Sequence, residues 1–224
     1  MAGRRTKLAA LAAGAMTVLA GCGLHPGAAA VVGSETISHD EVDDVARAVC
    51  SANLASAQVS GQPASQLPTR EARQIALDIL VETELSRQFG QQEGVEASPQ
   101  SVSQAVAQSE SGISMLPAER REDFRTALRD YAEGQIILIE IGEEELGGEV
   151  SDEEAVAEGT RLRSEYVDTL DVEIDPRYGT FEDGVYKPGA ADLSVPASAR
   201  ARAGERAEAG EAFVSGLPAS QLCS

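Results

Sequence analysis

The sequence predicts a mainly α-helical protein: about five helices in a non-compact bundle, with a small two-stranded element formed by the N-terminal and C-terminal segments. Three observations carry this. From Ser38 to Leu170 apolar residues recur mostly at three- and four-residue spacing, the period of helices with a buried face. Helix-opening signals head these segments. Ser38 and Glu41, and again Ser151 and Glu154, stand at capping-box spacing, and Ser98-Pro99 offers a cap with proline at the first helical position. Finally, short extended stretches lie at the two ends of the helical region, Ala29–Ser38 and Asp171–Ile174.

The chain opens with a leader. Arg4, Arg5 and Lys7 precede the apolar and small residues Leu8–Ala20, and then comes "LAGC", Leu19–Cys22. A basic head, a short apolar run and small residues at the cut form a secretory signal. The tetrapeptide resembles the bacterial lipobox, which makes residues 1–21 a lipoprotein signal peptide and Cys22 the lipid attachment site. The alternative is an ordinary secretion signal with an accidental cysteine. Acylation anchors a protein through buried methylenes, so the expected body sits on the extracytoplasmic face of the cell membrane and meets the bilayer through acylated Cys22 only. Loss of the leader's three basic residues lowers the formal charge from −19 to −22. So acidic a body is repelled by nucleic acid and anionic headgroups, excluding both as direct partners. Cys50 and Cys223 are then the remaining cysteines, either paired as a disulfide in an oxidising compartment or present as two unpaired thiols.

Residues 22–28 read as a tether and 29–186 as the helical domain. "AAVVGSETIS" is a strand, a Gly-Ser turn and a second extended piece. A first helix, capped by Ser38 and with acids in its first turn, is expected to run to about Leu54 on a face of Val42, Val45, Ala46 and Val49. After the loop Ser60–Pro68, a long helix runs from Thr69 to about Phe89, stopped by Gly90. Its apolar residues spread beyond one stripe, which marks a central helix. A weak polar helix follows from Ser98 to Ser111-Gly112. The longest helix runs from Pro117 to Leu146; within it "QIILIEI" (Gln135–Ile141) is β-branched enough to suggest a strand, but its length and lack of flanking turn residues favour helix. Gly147-Gly148 breaks it, and Ser151 opens a last helix to about Thr169. Val172–Ile174 is expected to pair with Ala30–Val32, ending at Pro176, which offers no N–H. Tyr178 and Phe181 are expected to cover the helical core. Residues 187–224, rich in Ala, Gly, Ser and Pro, read as a mostly disordered tail.

Catalytic chemistry has little to work with, and the protein reads as a non-enzyme. There are two histidines, His25 in the tether and His39 in a helix cap, so neither a Ser/His/Asp set nor a zinc cluster forms on rigid elements. Glu143–Glu145 lacks the alternating Asp/Asn–Gly loop of calcium binders and reads as a solvated acidic helix end. No metal and no cofactor is expected.

The order of lipobox, "VVGSETIS", "HDEVDDVARAV", long apolar helix, weak helix, long helix and "VEIDPRYGTF" resembles the SurA N-terminal-like (SurA/trigger-factor-like peptide-binding) family of envelope chaperones, over about Ala29–Phe181. Gly33 and Ile37 match that family's turn glycine and following apolar position, and Pro176–Gly179 resembles its closing motif. Foldases of this group often carry a parvulin isomerase domain before the closing strand. The short stretch between Leu146 and Pro176 has no room or histidines for one. The resemblance implies a chaperone-like module that binds unfolded or extended polypeptide clients in an apolar cleft, with Phe89, Met115, Leu116, Phe124 and Tyr131 as candidate lining. Core packing is the alternative role for each. A structural adaptor for one folded envelope partner is the competing function.

Overall fold

Ser38 closes one strand and opens the first helix. Its hydroxyl accepts from the Glu41 N–H, and the Glu41 carboxylate accepts in return from the Ser38 N–H at 2.7 Å. This capping box fixes the chain's turn out of a small sheet into a helical layer. The computed structural model describes residues 26–62, 64–189, 198–199, 202 and 211–223. The leader, Cys22 and half of the expected tail, residues 190–197, 200–201, 203–210 and 224, lie outside these residues.

The elements are β1 (Ala28–Val32), β2 (Glu35–Ser38), α1 (His39–Ser60), α2 (Thr69–Glu93), α3 (Pro99–Gln108), α4 (Glu110–Met115), α5 (Arg121–Leu146), α6 (Asp152–Val167), β3 (Val172–Ile174), β4 (Gly179–Glu182), β5 (Val185–Pro188) and the single turn α7 (Glu211–Val214). The chain is mainly helical, as expected. "QIILIEI" is helical within α5, and Ser151 caps α6 with the expected box.

The expected end-to-end pairing is present. Ala30, Val31 and Val32 face Ile174, Glu173 and Val172 in antiparallel register. The Gly33 N–H donates to the Asp171 carbonyl, and the Asp175 N–H to the Ala29 carbonyl, each at 2.8 Å. The next residue is Pro176, where pairing stops. The two-stranded element expected from sequence is in fact a three-stranded sheet ordered β2-β1-β3, because the piece after Gly33 folds back onto β1. A second hairpin, β4–β5, pairs Phe181 with Tyr186 and continues through Lys187 and Pro188, past the boundary expected at Tyr186. Tyr178 and Phe181 pack on the main core, as expected.

Boundaries differ where packing overrides local signals. Helix α1 runs six residues beyond Leu54, ending at Gly61 in a left-handed cap. Gly90 does not stop α2, which continues to Glu93 and is capped by Gly94. A Cβ at Gly90 would lie 2.7 Å from the Val95 carbonyl oxygen and 2.8 Å from Ile137, so its role is close approach rather than termination. The single weak helix after Ser98 is two helices, α3 and α4, and a short 3-10 turn at Ala118–Arg120 precedes α5.

Among the described residues two apolar clusters result. The larger joins the sheet, α1, α2 and the β4–β5 hairpin around Val32, Val42, Leu77, Val81 and Leu85. The smaller holds Phe89, Ile137, Leu138 and Ile141 with Leu162 and Tyr166 against it. Buried and half-buried polar groups tie the layers. Gln74 donates to the Tyr178 and Gly189 carbonyls, Gln88 to the Val32 carbonyl, and Arg163 pairs with Glu82 and donates to Ser86 Oγ at 2.9 Å. Helices α5 and α6 touch backbone to backbone at Gly142 and Gly159. Cys50 of α1 and Cys223 are joined as a disulfide with 5.2 Å between Cα atoms.

Candidate functional site

Helix α1 presents Val45, Ala48, Val49 and Ala52, and α5 presents Phe124, Ala127, Leu128 and Tyr131. Both sets follow the i, i+3, i+4, i+7 spacing that puts four side chains on one stripe of a helix. The stripes face each other across Ile79 of α2 and enclose a groove of about 170 Å³. The two alanines of α1 keep its wall low, while Phe124 and Tyr131 raise the wall on α5. Tyr131 is 45% exposed and Ile75, one turn before Ile79 on α2, is 38% exposed, so the apolar stripe reaches solvent. Small-molecule pockets usually enclose about 300–1,000 Å³. This groove is smaller and fits one or two apolar side chains of a longer ligand.

Of the five side chains expected to line a cleft, the structure brings two together here, Phe124 and Tyr131. Phe89 is buried in the smaller cluster and faces a different groove, where its ring lies 5.6 Å from that of Tyr166. Leu116 is buried, its N–H bonded to the Ile113 carbonyl at the end of α4. Met115 is 47% exposed and lines neither groove. Sequence reasoning missed Val45, Ala48, Val49, Ala52, Ile79, Ala127 and Leu128 as groove residues. Their helical spacing was legible, but a stripe that lines a groove has the same period as one that lines a core.

A polar clasp closes the molecule beside β3. His39 Nδ1 lies 3.1 Å from the Tyr178 hydroxyl, and Arg177 Nη2 lies 2.7 Å from His39 Nε2. Arg177 also pairs with Asp175, and this guanidinium holds the Asp175 carboxyl below its ordinary range. Burial pushes the Tyr178 and Tyr186 phenols up, and the Tyr186 hydroxyl donates to the Tyr178 carbonyl at 2.8 Å. These groups join the start of α1 to the segment that follows β3. The Cys223 N–H donates to the Leu67 carbonyl at 2.9 Å, so the disulfide seats the C-terminal residues against the α1–α2 loop. Among the described residues no group of His, Cys, Asp and Glu side chains is arranged to hold a metal ion, and no helix is long and apolar enough to cross a membrane.

Residues 8–114 match the family model of the SurA-like N-terminal domain. The match supports a SurA N-terminal-like family, whose N-terminal domain is a non-catalytic, chaperone-type module. Within the described residues it spans β1, β2, α1, α2, α3 and nearly all of α4. The likeness read from sequence extended to Phe181, through α5, α6 and β3. No curated protein and no solved structure matches the chain.

Proposed function

We propose that the protein is a membrane-anchored, extracytoplasmic lipoprotein that binds unfolded or extended polypeptides without catalysis, as a chaperone-like module of the cell envelope. The observation that carries the reading is the groove between α1, α2 and α5, two facing apolar stripes that reach solvent at Tyr131. The family match over residues 8–114 supports polypeptide binding in general. The basic, apolar and "LAGC" sequence of residues 1–22 supports the anchor at Cys22. A linear, apolar client suits the groove because shallow pockets spaced along an extended chain add small contributions without demanding one folded shape.

The test is suppression of aggregation of a chemically unfolded client by the purified protein. Suppression is expected to rise with protein concentration and to weaken at least severalfold in Tyr131→Glu, which places a charge at the groove rim. Equal suppression by wild type and Tyr131→Glu removes the groove from the account; no suppression by either removes the chaperone reading. The adaptor reading predicts instead one dominant folded partner.

A further inference from the structure

The second groove differs from the first in chemistry. It has a volume of about 440 Å³ and lies where the C-terminal turns of α2, α5 and α6 meet. Its apolar floor is Phe89, Ile141, Leu162 and the ring of Tyr166. Its rim carries Glu93, Glu144, Glu145 and Glu165, all exposed. Arg161 pairs with Glu165 at 2.6 Å; among the described residues Glu93, Glu144 and Glu145 have no ion pair.

The backbone adds to the same field. The last carbonyls of a helix carry partial negative charge and are ordinarily complemented by Lys or Arg in the last turn. None of α2, α5 and α6 has a basic residue in its last turn. Two independent sources of negative potential, carboxylates and helix ends, therefore converge on one groove, and among the described residues Arg161, paired with Glu165, is the cation that offsets part of them. A bare divalent ion does not fit, because no set of these carboxylates comes together to ligate one. An aliphatic stem ending in a cation does. Its methylenes cover the floor and its head reaches the rim, as long basic side chains do when they lie along apolar surface.

We infer that this groove docks an arginine or lysine side chain of the bound polypeptide, so that the protein selects clients with a basic residue beside an apolar segment. The inference rests on the proposed client binding and adds a charge-reading subsite to it. The two grooves draw on different stretches of α5, residues 124–131 and 141–145, whose centres lie roughly 20–25 Å apart along the helix at its rise per residue. A single extended segment of about seven or eight residues spans that distance.

The test uses the full-length protein and two labelled, unstructured peptides of equal length, one carrying Leu and Arg, the other Leu and Gln, with binding read by fluorescence anisotropy. The Arg peptide is expected to bind about tenfold more tightly at about 0.05 M salt, with the difference shrinking at about 0.5 M. Combined Glu93→Gln, Glu144→Gln and Glu145→Gln is expected to erase the preference while leaving the Gln peptide's affinity unchanged. A control that neutralises three exposed acids elsewhere, Glu119→Gln, Asp123→Asn and Glu153→Gln, is expected to keep most of it. Equal affinity for the two peptides, or a preference that survives the groove substitutions, overturns this inference alone. Absence of binding by both peptides overturns it together with the proposed function.

Discussion

Replacing Gly159 with alanine sets two known effects of the same methyl group against each other. In a helix interior, Gly→Ala stabilises by about 1 kcal/mol through propensity. At Gly159 the new Cβ would lie 2.1 Å from the Leu138 carbonyl oxygen and 2.8 Å from its carbon, both backbone atoms that cannot rotate away. Carbon–oxygen contacts are comfortable from about 3.3 Å, so α5 and α6 must part by more than about 1 Å. Gly142 makes the reciprocal approach, its Cβ position 1.9 Å from the Ala155 carbonyl oxygen. Separation therefore opens the seam around Leu138 and Ile141, and a gap of ~0.5–1 Å forfeits a quarter to a half of each contact's attraction. Overpacking of this kind costs about 1–3 kcal/mol and occasionally more. With two reciprocal backbone contacts the cost lies at the upper end, leaving a net loss of about 2 kcal/mol or more. Gly112 in α4 has nothing within 4 Å of its Cβ position, so Gly112→Ala is expected to gain up to about 1 kcal/mol. Urea unfolding followed by far-UV circular dichroism reads both. Opposite shifts in midpoint support the close packing; a Gly159→Ala protein as stable as wild type refutes it.

Other perturbations test separate parts of the account. Reduction of Cys50–Cys223, which are 173 residues apart in sequence, is expected to lower stability by about 2–5 kcal/mol, measured by urea unfolding with and without reductant. Unchanged stability would show that the bond does not restrain the unfolded chain. Burial raises the Glu84 and Glu140 carboxyls above their ordinary range. The folded state then holds more protons than the unfolded state between the two pKa values, so stability falls as pH rises through that window. Glu84→Gln is expected to be more stable than wild type at neutral pH and to lose the advantage once Glu84 is protonated, seen in thermal melts across pH. Asp175 has the opposite sign: its folded pKa is lowered by Arg177, so its stabilisation is present above the ordinary aspartate range and is lost as pH falls through the folded value. Asp175→Asn should therefore flatten the acid limb of the same curve. Cys22→Ala is expected to move the protein from the membrane fraction to the soluble fraction on cell fractionation; retention in the membrane contradicts acyl anchoring.

Much of this architecture was legible in residue spacing. The Ser38–Glu41 and Ser151–Glu154 pairs marked two helix starts because a cap is a local, three-residue interaction. The pairing of Ala30–Val32 with Val172–Ile174 was also legible, since the remaining chain offered those extended ends few other partners. Gly90 was misread as a stop because glycine's local preference points that way, while the Val95 carbonyl and Ile137 that need the space come from elsewhere in the fold. The hairpin at Thr180–Lys187 was hidden behind an aromatic cluster that read as core cover. The candidate site was legible in part. Phe124 and Tyr131 stood out as scarce aromatics, but no local signal says that α1 faces α5 through alanines, leaving room for a ligand. The acidic end of α5 read as solvated, because its convergence with the ends of α2 and α6 is a property of packing.

The central claim is that the groove between α1, α2 and α5 receives many polypeptides. Its most direct test is photo-crosslinking in cells from a photoreactive residue placed at Tyr131, followed by mass spectrometry of the adducts. The account predicts numerous unrelated envelope and secreted polypeptides, captured through extended segments with apolar side chains. One dominant folded partner, or no adducts beyond those from a photoreactive residue at exposed Val59 on α1, would contradict it.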